Sequence, residues 1–245
     1  MESKITGDIM LRFTQIITQE LEKEQERLRS CKWTDGEANT EGDYSRLSCE
    51  CALRAWRLIL LENPDLSDIT FVATSPDITC TFTNNNQKLK KKIELKTSIG
   101  LAMPGSTIGK LDINQCMIYC LRPKTTTDHF KFRYSQYHNA MGDSDTDLFQ
   151  DRTPRPAISF SKMVEPSSKL NYIEKQKDAW CERLAQCAYN RIKTDIKVAY
   201  SWQDGLVSEL KRIIINEFLK NTSIEEFVRM KEELNHTSPE SAPPS

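Results

Sequence analysis

The chain has 245 residues, 38% of them hydrophobic and 28% charged, with a formal net charge of −1. Such a length and apolar share suffice for one sizeable globular domain with a buried core, and they exclude a disorder-dominated chain. No apolar run reaches about 18 residues, and the opening Met1-Glu2-Ser3-Lys4 has no signal-peptide hydrophobic segment, so the expectation is a soluble intracellular protein, in cytoplasm or nucleus, with no membrane partner.

Ile9, Met10, Phe13, Ile16, Ile17 and Leu21 recur at helical spacing and run into the charge-rich stretch 22–29. This pattern predicts an amphipathic helix over 7–29, as a packing arm or a dimer element. A polar loop over 31–43 follows, and Asp43 is a candidate N-cap for a second helix over 44–62, which ends before Pro64. Three strands are expected next, over 69–74, 77–83 and 91–98, with Asn84-Asn85-Asn86-Gln87 turning the chain between the second and third.

The hairpin carries the chemistry. Side chains alternate along a strand, so Glu94 and Lys96 share one face while Ile93 and Leu95 point into apolar packing. If Thr83 pairs with Lys88, Asp77 falls opposite Glu94. Directly opposed residues have Cβ atoms roughly 4.5–5.5 Å apart, close enough for two carboxylates to share a divalent ion and repulsive without a cation. Oxygen ligands without His or thiolate select a hard ion, Mg²⁺ with Mn²⁺ as its substitute, which keeps several waters. One such water is a natural nucleophile for a phosphodiester. Lys96 can orient that water, help deprotonate it or stabilise the pentavalent state, and the same pattern also describes an ordinary hairpin with a surface Glu–Lys pair.

Met103 to Lys110 looks like a phosphate-binding loop but fails its spacing: three residues separate Gly105 from Gly109, and Leu111 stands where Ser or Thr belongs. It reads instead as a flexible segment, able to touch a nucleic-acid backbone through Lys110, ahead of a helix over 112–121 with Gln115 and Tyr119 four apart on one face. A strand is expected over 129–135, with Phe130, Phe132 and Tyr134 in the core. The polar loop 136–156 spaces Asp143, Asp145 and Asp147 like a calcium loop, but Leu148 and Pro154 replace the required Gly and Glu. A strand over 157–161, helices over 169–193 and 203–220, and a disordered Ser/Pro tail over 236–245 complete the chain. The eight cysteines form no zinc pattern and read as reduced thiols, several packed as small hydrophobes. Between Gln87 and Arg133 ten lysines and arginines stand against three acids, so positive charge surrounds the hairpin despite the neutral total. For Lys90 to Lys92 alone, protection of a hairpin edge is the favoured reading.

Pro76-Asp77 followed by Glu94-Leu95-Lys96 resembles the signature of the PD-(D/E)XK nuclease superfamily. Over residues 44–135 the resemblance implies an α/β, restriction-endonuclease-like core: a central mixed sheet flanked by helices. It implies Mg²⁺ held by Asp77, Glu94 and the backbone carbonyl of Leu95, with Glu50 as a further acidic residue on the preceding helix. The expected organisation is a single nuclease domain over 1–235, with the N-terminal helix 7–29, extra C-terminal helices over 168–235 and the tail. A stand-alone type II restriction endonuclease is the implied activity, a homodimer acting on double-stranded DNA, with Arg152 and Arg155 reading guanine edges from the long loop. Gln115 and Tyr119 are similar to the Gln-x-x-x-Tyr helix of RecB-like exonucleases, the second reading. An inert nucleic-acid-binding protein with the same fold is the third.

Overall fold

The computed structural model describes residues 4–33, 42–75, 77–106, 112–141 and 156–176, with individual residues between Glu209 and Arg229. Two compact units divide the chain, Met1–Ala185 and Gln186–Ser245. In the second, Glu209, Arg212, Ile213, Asn216 and Lys220 are helical, within the expected 203–220 element, as are Glu225, Glu226 and Arg229. The expected tail over 236–245 lies outside the described residues.

The first unit is α/β. Helix α1 spans Gly7–Glu22 and α2 Gln25–Ser30, so the helix expected over 7–29 is broken where Lys23 and Glu24 turn the chain. Helix α3 spans Asp43–Glu62. Its N-cap is Gly42, and Asp43 is its first helical residue, whose carboxylate accepts a hydrogen bond from Lys32 N–H at 3.1 Å. Strands β1 (Thr70–Thr74), β2 (Ile78–Asn84), β3 (Gln87–Ser98), β5 (Cys116–Leu121) and β6 (Lys131–Gln136) form one sheet in the order β1-β2-β3-β5-β6. All neighbours are antiparallel except β3 and β5, which run parallel. Strand β4 (Ala102–Pro104) pairs instead with β7 (Ala157–Ser159), and a short helix α4 spans Tyr137–Ala140.

Apolar parity decides which sheet face goes where. Ile78, Cys80 and Phe82 of β2, Ile93 of β3, Ile118 of β5 and Phe132 and Tyr134 of β6 lie in one buried cluster with α1 and α3. Phe13 and Trp56 bring the helices onto Phe71 and Phe82, ring centroids 5.1–5.8 Å apart in edge-on and tilted pairs. Rings in such geometry add about 0.5–1.5 kcal/mol per pair to their area burial. Met117 and Tyr119, on the opposite face, pack with Tyr137, Ile158, Phe160 and Met163 in a second cluster. Glu94 and Lys96 are register partners of Met117 and Tyr119, so they share this second face.

One expected helix is overturned, and a second over its first eight residues. Residues 116–121 are strand β5: Cys-Met-Ile-Tyr-Cys-Leu is buried on both faces, as a central strand beside a parallel neighbour must be. Residues 169–176, the start of the helix expected over 169–193, are irregular. Their backbone is taken up by side-chain amides instead: Ile173 N–H donates to Gln136 Oε1 at 2.9 Å and Lys175 N–H to Asn114 Oδ1 at 2.8 Å. The rest of that expected helix lies outside the described residues. Cys51, Cys80, Cys116 and Cys120 are free and buried. Burial pushes the Cys116 and Cys51 thiols up to about 12.

Candidate active site

Thr83 pairs with Lys88, as the hairpin reading requires, and the β2–β3 ladder ends at Ile78 and Ile93. Asp77 lies one residue beyond it, at φ 54, a left-handed conformation that aspartate tolerates better than most residues. The turn removes Asp77 from strand alternation, and its side chain continues the ladder where the backbone stops: Leu95 N–H donates to Asp77 Oδ1 at 3.0 Å. That bond holds the Asp77 carboxylate one residue from Glu94 on β3.

The two carboxylates meet through a cation from the protein itself. Lys92 Nζ lies 2.7 Å from Asp77 Oδ2 and 3.0 Å from Glu94 Oε2. Glu94 is only 6% exposed, and its other oxygen, Oε1, lies 2.7 Å from Lys96 Nζ and accepts a hydrogen bond from Ser106 Oγ at 3.1 Å. Gln115 Nε2 approaches Oε2 at 3.5 Å. Burial pushes the Glu94 carboxyl up, but Lys96 and then Lys92 outweigh it and hold the group below its ordinary 4.5. For Lys92, burial works against the charged form and is outweighed by Asp77 and Glu94, which raise its pKa. Carboxylate and ammonium groups thus alternate along Asp77, Lys92, Glu94 and Lys96.

Ser106 reaches Glu94 through a tight contact. Gly105 N–H donates to Pro156 O at 2.8 Å, and Ser106 N–H donates to the Tyr137 hydroxyl. A Cβ at Gly105 would sit 2.0 Å from Tyr137 Oη and 2.7 Å from Pro156 O, so only glycine allows this approach.

The donor set fits a hard divalent cation. Two carboxylates converge on one positive charge, and an Mg²⁺-type ion takes its remaining ligands from carbonyl oxygen and water. Among the described residues no cluster of three or more His, Cys, Asp or Glu forms a metal site, so the carboxylate ligands would be Asp77 and Glu94 alone.

Other expected residues fall elsewhere. Glu50 is 51% exposed in its side chain and pairs with Arg27 at 2.8 Å, while the neighbouring Cys49 Sγ lies 3.9 Å from the Asp77 carbonyl oxygen. Gln115 borders the site from the loop before β5, whereas Tyr119 lies within β5 with its hydroxyl on Gly100 O at 2.7 Å, so the two do not share a helix face. Leu95 sits between Glu94 and Lys96 with its side chain against the first core cluster. Pro76, Lys110, Arg152 and Arg155 lie outside the described residues. Lys92 and Ser106 were not among the expected site residues. For Lys92 the signal was present, since it shares the strand parity of Glu94 and Lys96; for Ser106 no sequence pattern announces the contact.

A cleft of about 1340 Å³ opens beside the site, lined by Lys90, Lys91, Lys92, Asn114, Gln115 and Lys175 among others. One wall is the part of β3 that precedes its pairing with β5, which begins at Ile93 and Cys116. Lys92 and Gln115 line this cleft and also contact Glu94, whereas Asp112 and Glu174 add negative charge to its wall.

No family model, curated protein or solved structure matches the chain. No helix among the described residues is long and apolar enough to cross a membrane.

Proposed function

We propose that the chain is a Mg²⁺-dependent deoxyribonuclease with a restriction-endonuclease-like core, hydrolysing phosphodiester bonds of double-stranded DNA. The observation that carries this reading is the meeting of Asp77 and Glu94 on one ammonium, with Lys96 at 2.7 Å from the same glutamate. Asp77, Glu94 and the Leu95 carbonyl would hold Mg²⁺, or Mn²⁺ in its place. Bound there, the ion supplies a water of lowered pKa and neutralises charge gathering on the phosphate. Lys96, fixed against Glu94, orients that water and stabilises the charged transition state. Ser106 holds the Glu94 carboxylate in one orientation, and the cleft, where Lys90, Lys91, Lys92 and Lys175 outnumber Asp112 and Glu174, would attract the polyanion.

Within this class the finer reading is a site-specific endonuclease of the type II restriction kind, acting as a homodimer because cutting two strands takes two sites. Exonuclease action on DNA ends is the second reading; Gln115 contacts Glu94, but Tyr119, its expected helical companion, lies in β5. Incubation of the protein with supercoiled plasmid and Mg²⁺ tests both. Discrete fragments support site-specific cutting; survival of the circle with loss of linear DNA supports the exonuclease. Glu94→Gln and Lys96→Met should each slow cleavage by about 10²–10⁴-fold. An inert wild type in both Mg²⁺ and Mn²⁺ overturns the nuclease reading.

A further inference from the structure

The four charges of the site are not equally fixed. Asp77 Oδ1 is held by Leu95 N–H, and Glu94 Oε1 by Lys96 and Ser106. The remaining oxygens, Asp77 Oδ2 and Glu94 Oε2, both turn to Lys92, with Gln115 touching Oε2 only at 3.5 Å. Lys92 is also the more exposed of the two lysines: its side chain is 47% exposed, against 16% for Lys96, and it stands at the wall of the cleft. Withdrawing Lys92 would therefore leave both carboxylates anchored through one oxygen each, with Asp77 Oδ2 released and Glu94 Oε2 held only by the long Gln115 contact.

We infer that Lys92 is a built-in counter-ion that a divalent cation must displace to bind, and that its released ammonium serves as a phosphate ligand at the cleft wall. The inference rests on Asp77 and Glu94 being metal carboxylates. With Lys92 seated, the two carboxylates and two ammoniums sum to zero charge. Exchange of Lys92 for a divalent ion leaves the inner cluster at +1 and places a freed lysine beside it. The site thus becomes anion-attracting only when loaded, which couples metal binding to capture of a phosphodiester. The competitor also weakens the metal: because Lys92 is half-exposed, its removal should tighten divalent binding by about tenfold, the lower end for a charge-assisted contact.

Calorimetric titration of the full chain with Mn²⁺ alone, without nucleic acid, tests this in the wild type, Lys92→Met, Lys92→Gln and Lys92→Arg. Lys92→Met and Lys92→Gln should each bind Mn²⁺ about tenfold more tightly, and Lys92→Arg should bind close to wild type. Adding Asp77→Asn to Lys92→Met should abolish the tight site. Two neutral variants guard against one that misfolds, with far-UV circular dichroism as the check. Equal Mn²⁺ affinity in wild type and both neutral variants overturns the role of Lys92 while the metal reading stands. Absence of Mn²⁺ binding in every folded variant, at millimolar ion, overturns both.

Discussion

Replacing Lys96 by Met probes the site without reference to any substrate. Its ammonium lies 2.7 Å from a carboxylate oxygen of Glu94, and the two side chains are 16% and 8% exposed. At that separation and an effective dielectric constant of about 20, the bare attraction is about 6 kcal/mol. Withdrawing both groups from water cancels most of it, leaving about 1.5–3 kcal/mol for a charge-assisted contact. Lys92 still touches Glu94 at 3.0 Å, so Lys96→Met should cost about 2 kcal/mol, short of the larger loss expected when a buried charge keeps no partner. Glu94→Gln removes the same contact from the other side. The double variant should therefore be more stable than the two single losses predict, by about 1.5 kcal/mol. Urea unfolding followed by far-UV circular dichroism at pH 7 measures all four corners of this cycle. Additivity within about 0.5 kcal/mol would refute the coupling.

The Glu94 carboxyl is held below its ordinary 4.5 when folded, so its contribution to stability is complete above that pH and is lost as pH falls through the folded value. Wild type should therefore lose Tm more steeply than Glu94→Gln as pH falls below the ordinary carboxylate range, and parallel curves would remove the shift. Gly105→Ala places a methyl against Tyr137 Oη and Pro156 O and should cost about 1–3 kcal/mol; adding Tyr137→Phe should recover part of the loss. Equal stability of Gly105→Ala and wild type by thermal unfolding would contradict the close approach.

The hairpin was legible because two local signals agree: an Asn-rich turn and alternation on both sides of it, broken only at Lys91, with the Thr83–Lys88 register that the ladder shows as far as Ile78 and Ile93. What alternation could not reveal is the left-handed bend at Asp77, which turns an expected cross-strand pair into a side-chain bond to Leu95 N–H. Strand β5 was misread because six apolar residues carry no period that separates a buried strand from a buried helix. Length could have arbitrated, since Cys116 to Leu121 is short for a helix and is bounded by Gln115 and Arg122. Lys92 was hidden in a lysine run whose edge-protecting role suits Lys90 and Lys91 equally well. Its difference is parity and reach, both set by where the ladder ends. Ser106 depends on Gly105, Tyr137 and Pro156 meeting across the fold, and no local window contains them.

The parallel pairing of β3 and β5 imposes a route on the chain. Ser98 and Cys116 lie at opposite ends of the sheet, so the intervening segment must travel back, and Gly100 and Ser106 mark its path over the face that bears Glu94. That return segment adds no rung to the five-stranded sheet, but its β4 pairs with β7 and its Ser106 donates to Glu94. Selection or an engineer could therefore retune the surroundings of Glu94 by altering this connection, provided that the β4 pairing with β7 and the Ser106 contact to Glu94 are kept.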